Sequence, residues 1–248
     1  MQQRAIVPVI AAIGILVLVG LAIVFAFAPR PGASTIDEVD EPAAATWAQP
    51  AEPPTPAAIA TGPGVGGLVD AGWLSATAER TGIPSRALAA YAGVALAKAA
   101  AMPSCGLAWN TLAAIGFAES RHGSHDGSTL GADGTATPGI FGVALAGGDT
   151  EHVPDSDGGT IDGDADYDRA VGPMQLIPQT WRNWHTDASG DGVEDPQNID
   201  DAVQATANYL CRAAGDMTTE SGWRGGIAAY NGAESYIRAV AEAGESYR

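Results

Sequence analysis

The stretch Leu107–Arg121, LAWNTLAAIGFAESR, decides the reading of this chain. Ala108, Leu112, Ile115 and Glu119 fall at i, i+4, i+7 and i+11. That spacing predicts an α-helix with an apolar stripe that ends in a carboxylate. The helix runs out at Gly123, so Glu119 occupies its last turn, where the helix dipole opposes negative charge. Burial and the dipole both disfavour ionisation, and both push the carboxyl pKa upward. A carboxyl group kept protonated near neutral pH is what a general acid for glycosidic cleavage requires. The same pattern also suits a glutamate that reaches solvent from a frayed helix end or pairs with Arg121, and periodicity does not separate the two.

Outward from this helix the pattern stays mainly helical and rich in alanine. A segment near 70–80 stops at Gly82, and Pro84 opens a second helix from Ser85 to about Ala100. Beyond Gly123, residues 124–170 are rich in Gly and Asp and lack a helical period. That is too long for an ordinary connection, which points to a functional loop. Pro178 opens a short helix through Trp181 and Trp184. Another follows Asp200 and Asp201, with Val203, Ala207, Leu210 and Ala214 on one face, and two more cover roughly 221–230 and 233–247. Strand signals are few and no internal repeat is visible. Residues 68–248 are therefore expected to form one mainly-α domain with a long Asp/Gly-rich loop.

The N-terminal part differs. Residues 5–28, AIVPVIAAIGILVLVGLAIVFAFA, carry no charge and as a helix would span roughly 36 Å, enough to cross a bilayer. Ala26-Phe27-Ala28 also resembles a signal-peptide cleavage site, although Pro29 stands where the cut would fall. Arg4 before the span, and Asp37, Glu38, Asp40 and Glu41 after it, favour an exported body. The expectation is a single-pass membrane anchor in residues 1–28, or a secreted protein if that segment is cleaved. Residues 29–67 follow as a disordered tether: residues 29–63 hold 8 of the 16 prolines.

Net charge is −17, with no basic stripe to meet phosphates, so nucleic acid is excluded as a partner. Residues 126–201 carry 16 of the 29 acidic side chains, with only Arg169 and Arg182 in return. Such a run is a solvated loop surface or a cation site. The two cysteines, Cys105 and Cys211, allow one intramolecular disulfide, which an exported location permits; two buried thiols are the alternative. Asp187, Ser189 and Asp191 stand at positions 1, 3 and 5 of a loop with Gly192 at 6 and the Val193 carbonyl at 7, the first half of an EF-hand. Asn198 occupies position 12 where a glutamate is usual, and Asp201 at position 15 could close a longer loop. An Asp/Gly-rich turn without metal fits that half-motif equally well. His122, His125, His152 and His185 show no zinc-like spacing and read as surface or loop residues. Glu119-x-x-His122 lacks the second copy a carboxylate-bridged metal pair needs. No P-loop, dinucleotide fingerprint or Gly-x-Ser-x-Gly elbow is present, and no organic cofactor is expected.

Several motifs in one order then carry a resemblance. Cys105–Trp109, Ala113–Gly123, Asp168–Pro178, Asp187–Asn198 and Ala228–Asn231 together resemble the type B lytic murein transglycosylases, especially actinobacterial members, from about Trp73 to Arg248. The resemblance implies a lysozyme-like α-rich domain and peptidoglycan glycan strands as partner. It implies that Glu119 is the catalytic acid/base, that Gln175, Tyr209, Tyr230 and Asn231 contact the glycan, and that Asp187–Asp201 is a fifteen-residue calcium loop. The activity implied is cleavage of the β-1,4 bond between N-acetylmuramic acid and N-acetylglucosamine, leaving 1,6-anhydromuramoyl ends during cell-wall remodelling. A hydrolytic muramidase and a non-catalytic wall-binding scaffold stay open. The sequence departs from the family at Gly142–Gly147, which lacks an expected Pro and Asp. Leu176 replaces an aromatic residue, and Asp166 stands where some members have serine.

Overall fold

Residues 85–101, SRALAAYAGVALAKAAA, form helix α2 (Ser85–Ala101), and every residue from Ala87 to Ala95 is buried. A helix buried all round belongs at the centre of a core, and its alanines let neighbours approach closely. At Gly93 an added Cβ would sit 2.0 Å from the Val65 carbonyl oxygen. The computed structural model describes residues 45–148 and 150–248. The expected membrane span, residues 5–28, and the first part of the tether lie outside the described residues. Among the described residues no helix is long and apolar enough to cross a membrane.

The helices otherwise follow the sequence reading closely. Helix α1 (Ala71–Thr81) starts where the Asp70 carboxylate accepts the Trp73 N–H at 2.9 Å and stops at Gly82 in the left-handed region. Helix α3 (Trp109–Ser120) packs on α2 and on α7 (Glu234–Ser246). Helix α4 (Pro178–Trp184) and α6 (Glu220–Tyr230) flank α5 (Ile199–Ala214), which also packs on α2. The result is a mainly helical domain whose core gathers Leu88, Leu112, Ile115, Leu210, Trp223 and Ile227.

Residues 124–171 add two small antiparallel pairs. Strand β1 (Thr129–Leu130) pairs with β2 (Ala136–Thr137), and β3 (Phe141–Ala144) pairs with β4 (Arg169–Val171) in a register running from Phe141 opposite Val171 to Ala144 opposite Arg169. The Asp/Gly-rich segment between β3 and β4 is thus an excursion from a hairpin.

Two boundaries differ from expectation. Residues 45–67, read as part of the tether, are packed on the body. Ala48 is fully buried, and Val65 lies in a short 3-10 turn (Val65–Leu68) against the core. Buried Asn110 donates Nδ2 to the carbonyls of Gln49 and Gly244 and accepts the Ala51 N–H, while Trp109 Nε1 donates to the Glu52 carbonyl at 3.0 Å. This segment has no period of its own; its partners come from α3, α6 and α7, which composition does not reveal. The second difference is the end of α3. The helix stops at Ser120, and Arg121 and His122 adopt positive φ of 54° and 61° ahead of Gly123 at 82°.

Cys105 and Cys211 form a disulfide, with Cα atoms 5.3 Å apart and 106 residues of separation. It fastens the start of α3 to α5. Closing so long a loop restricts the unfolded chain, a stabilisation of typically about 2–4 kcal/mol. The Cys105→Ser/Cys211→Ser double variant should therefore melt roughly 4–16 °C lower, at about 2–4 °C per kcal/mol for a domain of this size. Calorimetry checks this, and an unchanged melting temperature would refute it.

Candidate active site

Helix α3 is buried from Trp109 to Gly116 and emerges only in its last turn. Gly116 makes this packing possible, because a Cβ there would lie 2.0 Å from the Tyr91 hydroxyl. Glu119 consequently leaves the core half-buried and lines a groove of about 720 Å³. Its Oε1 accepts the Tyr236 hydroxyl at 2.5 Å, delivered from the first turn of α7. Arg121 does not pair with it; the guanidinium lies over the Phe117 ring, 4.6 Å from the centroid. Burial pushes the Glu119 carboxyl up to about 7, against the opposing pull of the Tyr236 hydrogen bond.

The groove brings together all five residues assigned from the sequence. Glu119, Gln175, Tyr209, Tyr230 and Asn231 line it. Gln175 sits in the turn after β4 with φ of 49°, and its Nε2 folds back onto the Gly172 carbonyl. Two helices fix that turn. Ser120, the residue after the acid, donates Oγ to the Pro173 carbonyl at 2.6 Å, and the Tyr230 hydroxyl of α6 donates to the Met174 carbonyl. The spacing of Glu119 and Gln175 is therefore set by bonds from neighbouring residues. The Tyr209 hydroxyl likewise donates to the Ala229 carbonyl at 2.5 Å. Tyr209 and Tyr230 lie with ring centroids 6.1 Å apart, and Trp184 follows at 6.3 Å from Tyr209. With both hydroxyls committed to backbone, these tyrosines offer the groove mainly aromatic surface. The Asn231 side-chain oxygen accepts the Ala233 N–H and closes the turn between α6 and α7.

Three features were missed by the sequence. Tyr236 carried no motif of its own. Glu151, exposed on the β3–β4 excursion, lines the same groove as a second carboxylate. His122, read as a surface or loop residue, is buried instead. Its Nδ1 and Nε2 each stand 3.2 Å from a hydroxyl, of Tyr91 and Tyr247 respectively, and burial pushes its pKa down to about 4. The left-handed exit of α3 turns this side chain inward, which spacing alone does not predict. His125, His152 and His185 are exposed or partly so.

The Asp187–Asp201 loop lies apart from the acid. Asp187 accepts the N–H of Gly190 and Gly192 and the Ser189 hydroxyl, Asp191 accepts the Val193 N–H, and Gly192 has φ of 90°. Asp201 is fully buried and accepts the N–H groups of Ala188, Ser189 and Asp195. The donor set is all oxygen, as a hard cation needs, and the bond from residue 6 to residue 1 is in place. The carboxylates of Asp187, Asp191 and Asp201 are not gathered as a tight acidic group; among the described residues such a group occurs elsewhere, at Asp155, Asp157 and Asp168.

The raised Glu119 pKa has a consequence for stability. The folded value of about 7 exceeds the ordinary 4.5, so the folded state favours the protonated carboxyl. That contribution is complete below about 4.5 and is lost as pH rises through 7. Glu119→Gln, a neutral near-isostere, should therefore be more stable than the parent at pH 8 by on the order of 1–3 kcal/mol. The difference should vanish near pH 4. Denaturant melts at the two pH values check this, and equal stability at pH 8 would contradict the buried acid.

No curated protein and no solved structure matches the chain. Residues 164–226 match the family model of the transglycosylase SLT domain, so over that segment, which holds Gln175, Tyr209 and the Asp187–Asp201 loop and stops short of Tyr230 and Asn231, the chain is similar to that family.

Proposed function

We propose that the protein is a lytic transglycosylase acting on peptidoglycan. One observation carries the reading: a carboxyl held near pKa 7 opens into a long groove, part of whose wall lies in the segment similar to the transglycosylase SLT domain. In this reading protonated Glu119 gives its proton to the oxygen of the β-1,4 bond between N-acetylmuramic acid and N-acetylglucosamine. The bond from that oxygen to the muramoyl C1 breaks, and the N-acetylglucosamine unit leaves with its 4-hydroxyl restored. The muramoyl N-acetyl group stabilises C1 meanwhile, in the substrate-assisted manner. Ionised Glu119 then takes the proton of the C6 hydroxyl, whose oxygen bonds to C1 and closes the 1,6-anhydro ring without water. A pKa near 7 suits a single group that must first give and then accept a proton. Tyr236 holds the carboxyl in place, Gln175 and Asn231 orient the sugars, and Tyr209 and Tyr230 stack on them.

Glu151 favours a second reading. A second carboxylate on the groove could activate water and make the enzyme a hydrolytic muramidase. On purified sacculi, Glu119→Gln should lose at least about 10²–10⁴-fold in turnover, Glu151→Gln should keep most activity, and products should carry anhydromuramoyl ends. Reducing ends, with activity lost in Glu151→Gln, would establish the hydrolase. A parent protein without turnover would leave a wall-binding scaffold.

Residues 5–28 are proposed to anchor the protein in the cell membrane with the domain outside, or to be removed so that it is secreted. We also propose a structural Ca²⁺ held by Asp187, Ser189, Asp191, the Val193 carbonyl and Asp201, away from the chemistry. Its binding to the folded state alone would contribute about 2.7 kcal/mol at a hundredfold excess over Kd. Asp191→Ala should bind one calcium fewer than the parent by isothermal titration, and an unchanged stoichiometry would mean the loop is only a turn.

A further inference from the structure

The excursion Asp155–Asp168, DSDGGTIDGDADYD, holds six aspartates and no lysine or arginine. Most of these carboxylates have a visible task. Asp155 accepts the N–H groups of Asp157, Gly158 and Gly159. Asp162 accepts those of Asp164 and Arg169, and Asp164 those of Asp166 and Tyr167. Asp168, fully buried, accepts the N–H and hydroxyl of Ser156. Turns of this kind explain why aspartate recurs here and imply no ligand.

Asp157 departs from the pattern. Its Oδ2 accepts the Ile161 N–H at 2.7 Å, whereas its Oδ1 is closed off from solvent and has no partner at all. Among the described residues it is the only buried side-chain polar atom left so. A buried carboxylate oxygen without a donor is strongly disfavoured unless a positive charge meets it. This orphaned oxygen belongs to the side chain that, with Asp155 and Asp168, places three carboxylate oxygens within 4.8 Å of one another. No arginine answers them. Arg182 donates to the Ser156 carbonyl and Arg169 Nε to the Gly142 carbonyl, and among the described residues none of the three acids enters an ion pair.

The donors are carboxylate oxygens, as a hard divalent cation needs. We propose that Asp155, Asp157 and Asp168 hold a hard divalent cation, for which calcium is the probe, distinct from any ion in the Asp187–Asp201 loop. Such an ion ties the turn at Asp155–Gly159 to Asp168, the residue that leads into β4 and so toward Gln175. It fixes the excursion against the strand that carries one side of the groove.

The test compares the full chain in detergent, stripped with chelator, with its Asp157→Asn variant. Asparagine keeps a carbonyl oxygen for the Ile161 N–H and places an NH₂ where the orphaned oxygen stood, able to donate to Asp155 or Asp168. The variant should therefore melt no lower than the parent in chelator, bind one equivalent of calcium fewer by isothermal titration, and gain less melting temperature from millimolar calcium. Asp155→Asn serves the same comparison if Asp157→Asn does not fold. Crystals of the parent soaked in calcium should show an ion between the three carboxylates. Equal stoichiometry in parent and folded variant, or soaked crystals without that ion, would overturn the proposal and leave a proton shared within the acid group.

Discussion

The constraint on which the rest depends is the burial of α3 up to the residue before its last turn. Trp109 to Gly116 are closed in on all sides, by α2 and α7 among others, so the helix has no freedom to rotate or slide. Whatever its last turn presents is held as firmly as the core itself. Glu119 is what it presents. The disulfide fastens the start of the helix to α5, and Ser120 fastens its end to the turn that carries Gln175. The acid and the opposite side of the groove are therefore linked through covalent and hydrogen bonds that do not involve the acid.

Burial sets the proton affinity as well as the position. Desolvation raises the Glu119 carboxyl, and the Tyr236 hydroxyl partly offsets it by stabilising the ionised form. The two opposing effects leave a group near pKa 7 instead of one protonated at every physiological pH. In the proposed mechanism, a carboxyl with burial alone would hold its proton too tightly to act as a base later. One with a stronger donor would ionise before acting as an acid. Tyr236 thus acts on the acid from a different helix, and its hydroxyl matters more than its ring.

What the sequence made legible follows from how each signal is encoded. Helix existence and approximate extent were readable in α1 to α7 because periodic segments end at Gly82 or begin at Pro178 and at the Asp200 turn. Three of the groove residues were readable through motifs, since Gln175 lies within Asp168–Pro178 and Tyr230 and Asn231 within Ala228–Asn231. Tyr236 was not, because the only property that matters is its distance from Glu119 across α3 and α7. Residues 45–67 look like the proline-rich segment before them, yet Asn110 and Trp109 hold their backbone in place. His122 faces inward because Arg121 and His122 leave α3 through the left-handed region, an event written in no periodicity.

The acid-rich segments separate on the same ground. In sequence, Asp187–Asp201 is the better metal loop, because its oxygens, glycine and spacing follow a known coordination order. In three dimensions its carboxylates are largely occupied by backbone N–H groups, whereas Asp157 in the other segment keeps an oxygen that nothing satisfies. A carboxylate that closes a turn and one that awaits a cation have the same neighbours in sequence. They differ in whether the fold has already supplied a donor. That difference is invisible to composition and is the reason an unremarkable run of aspartates, in which Asp155, Asp157 and Asp168 enter no ion pair among the described residues, carries more information than the motif that resembles a metal site.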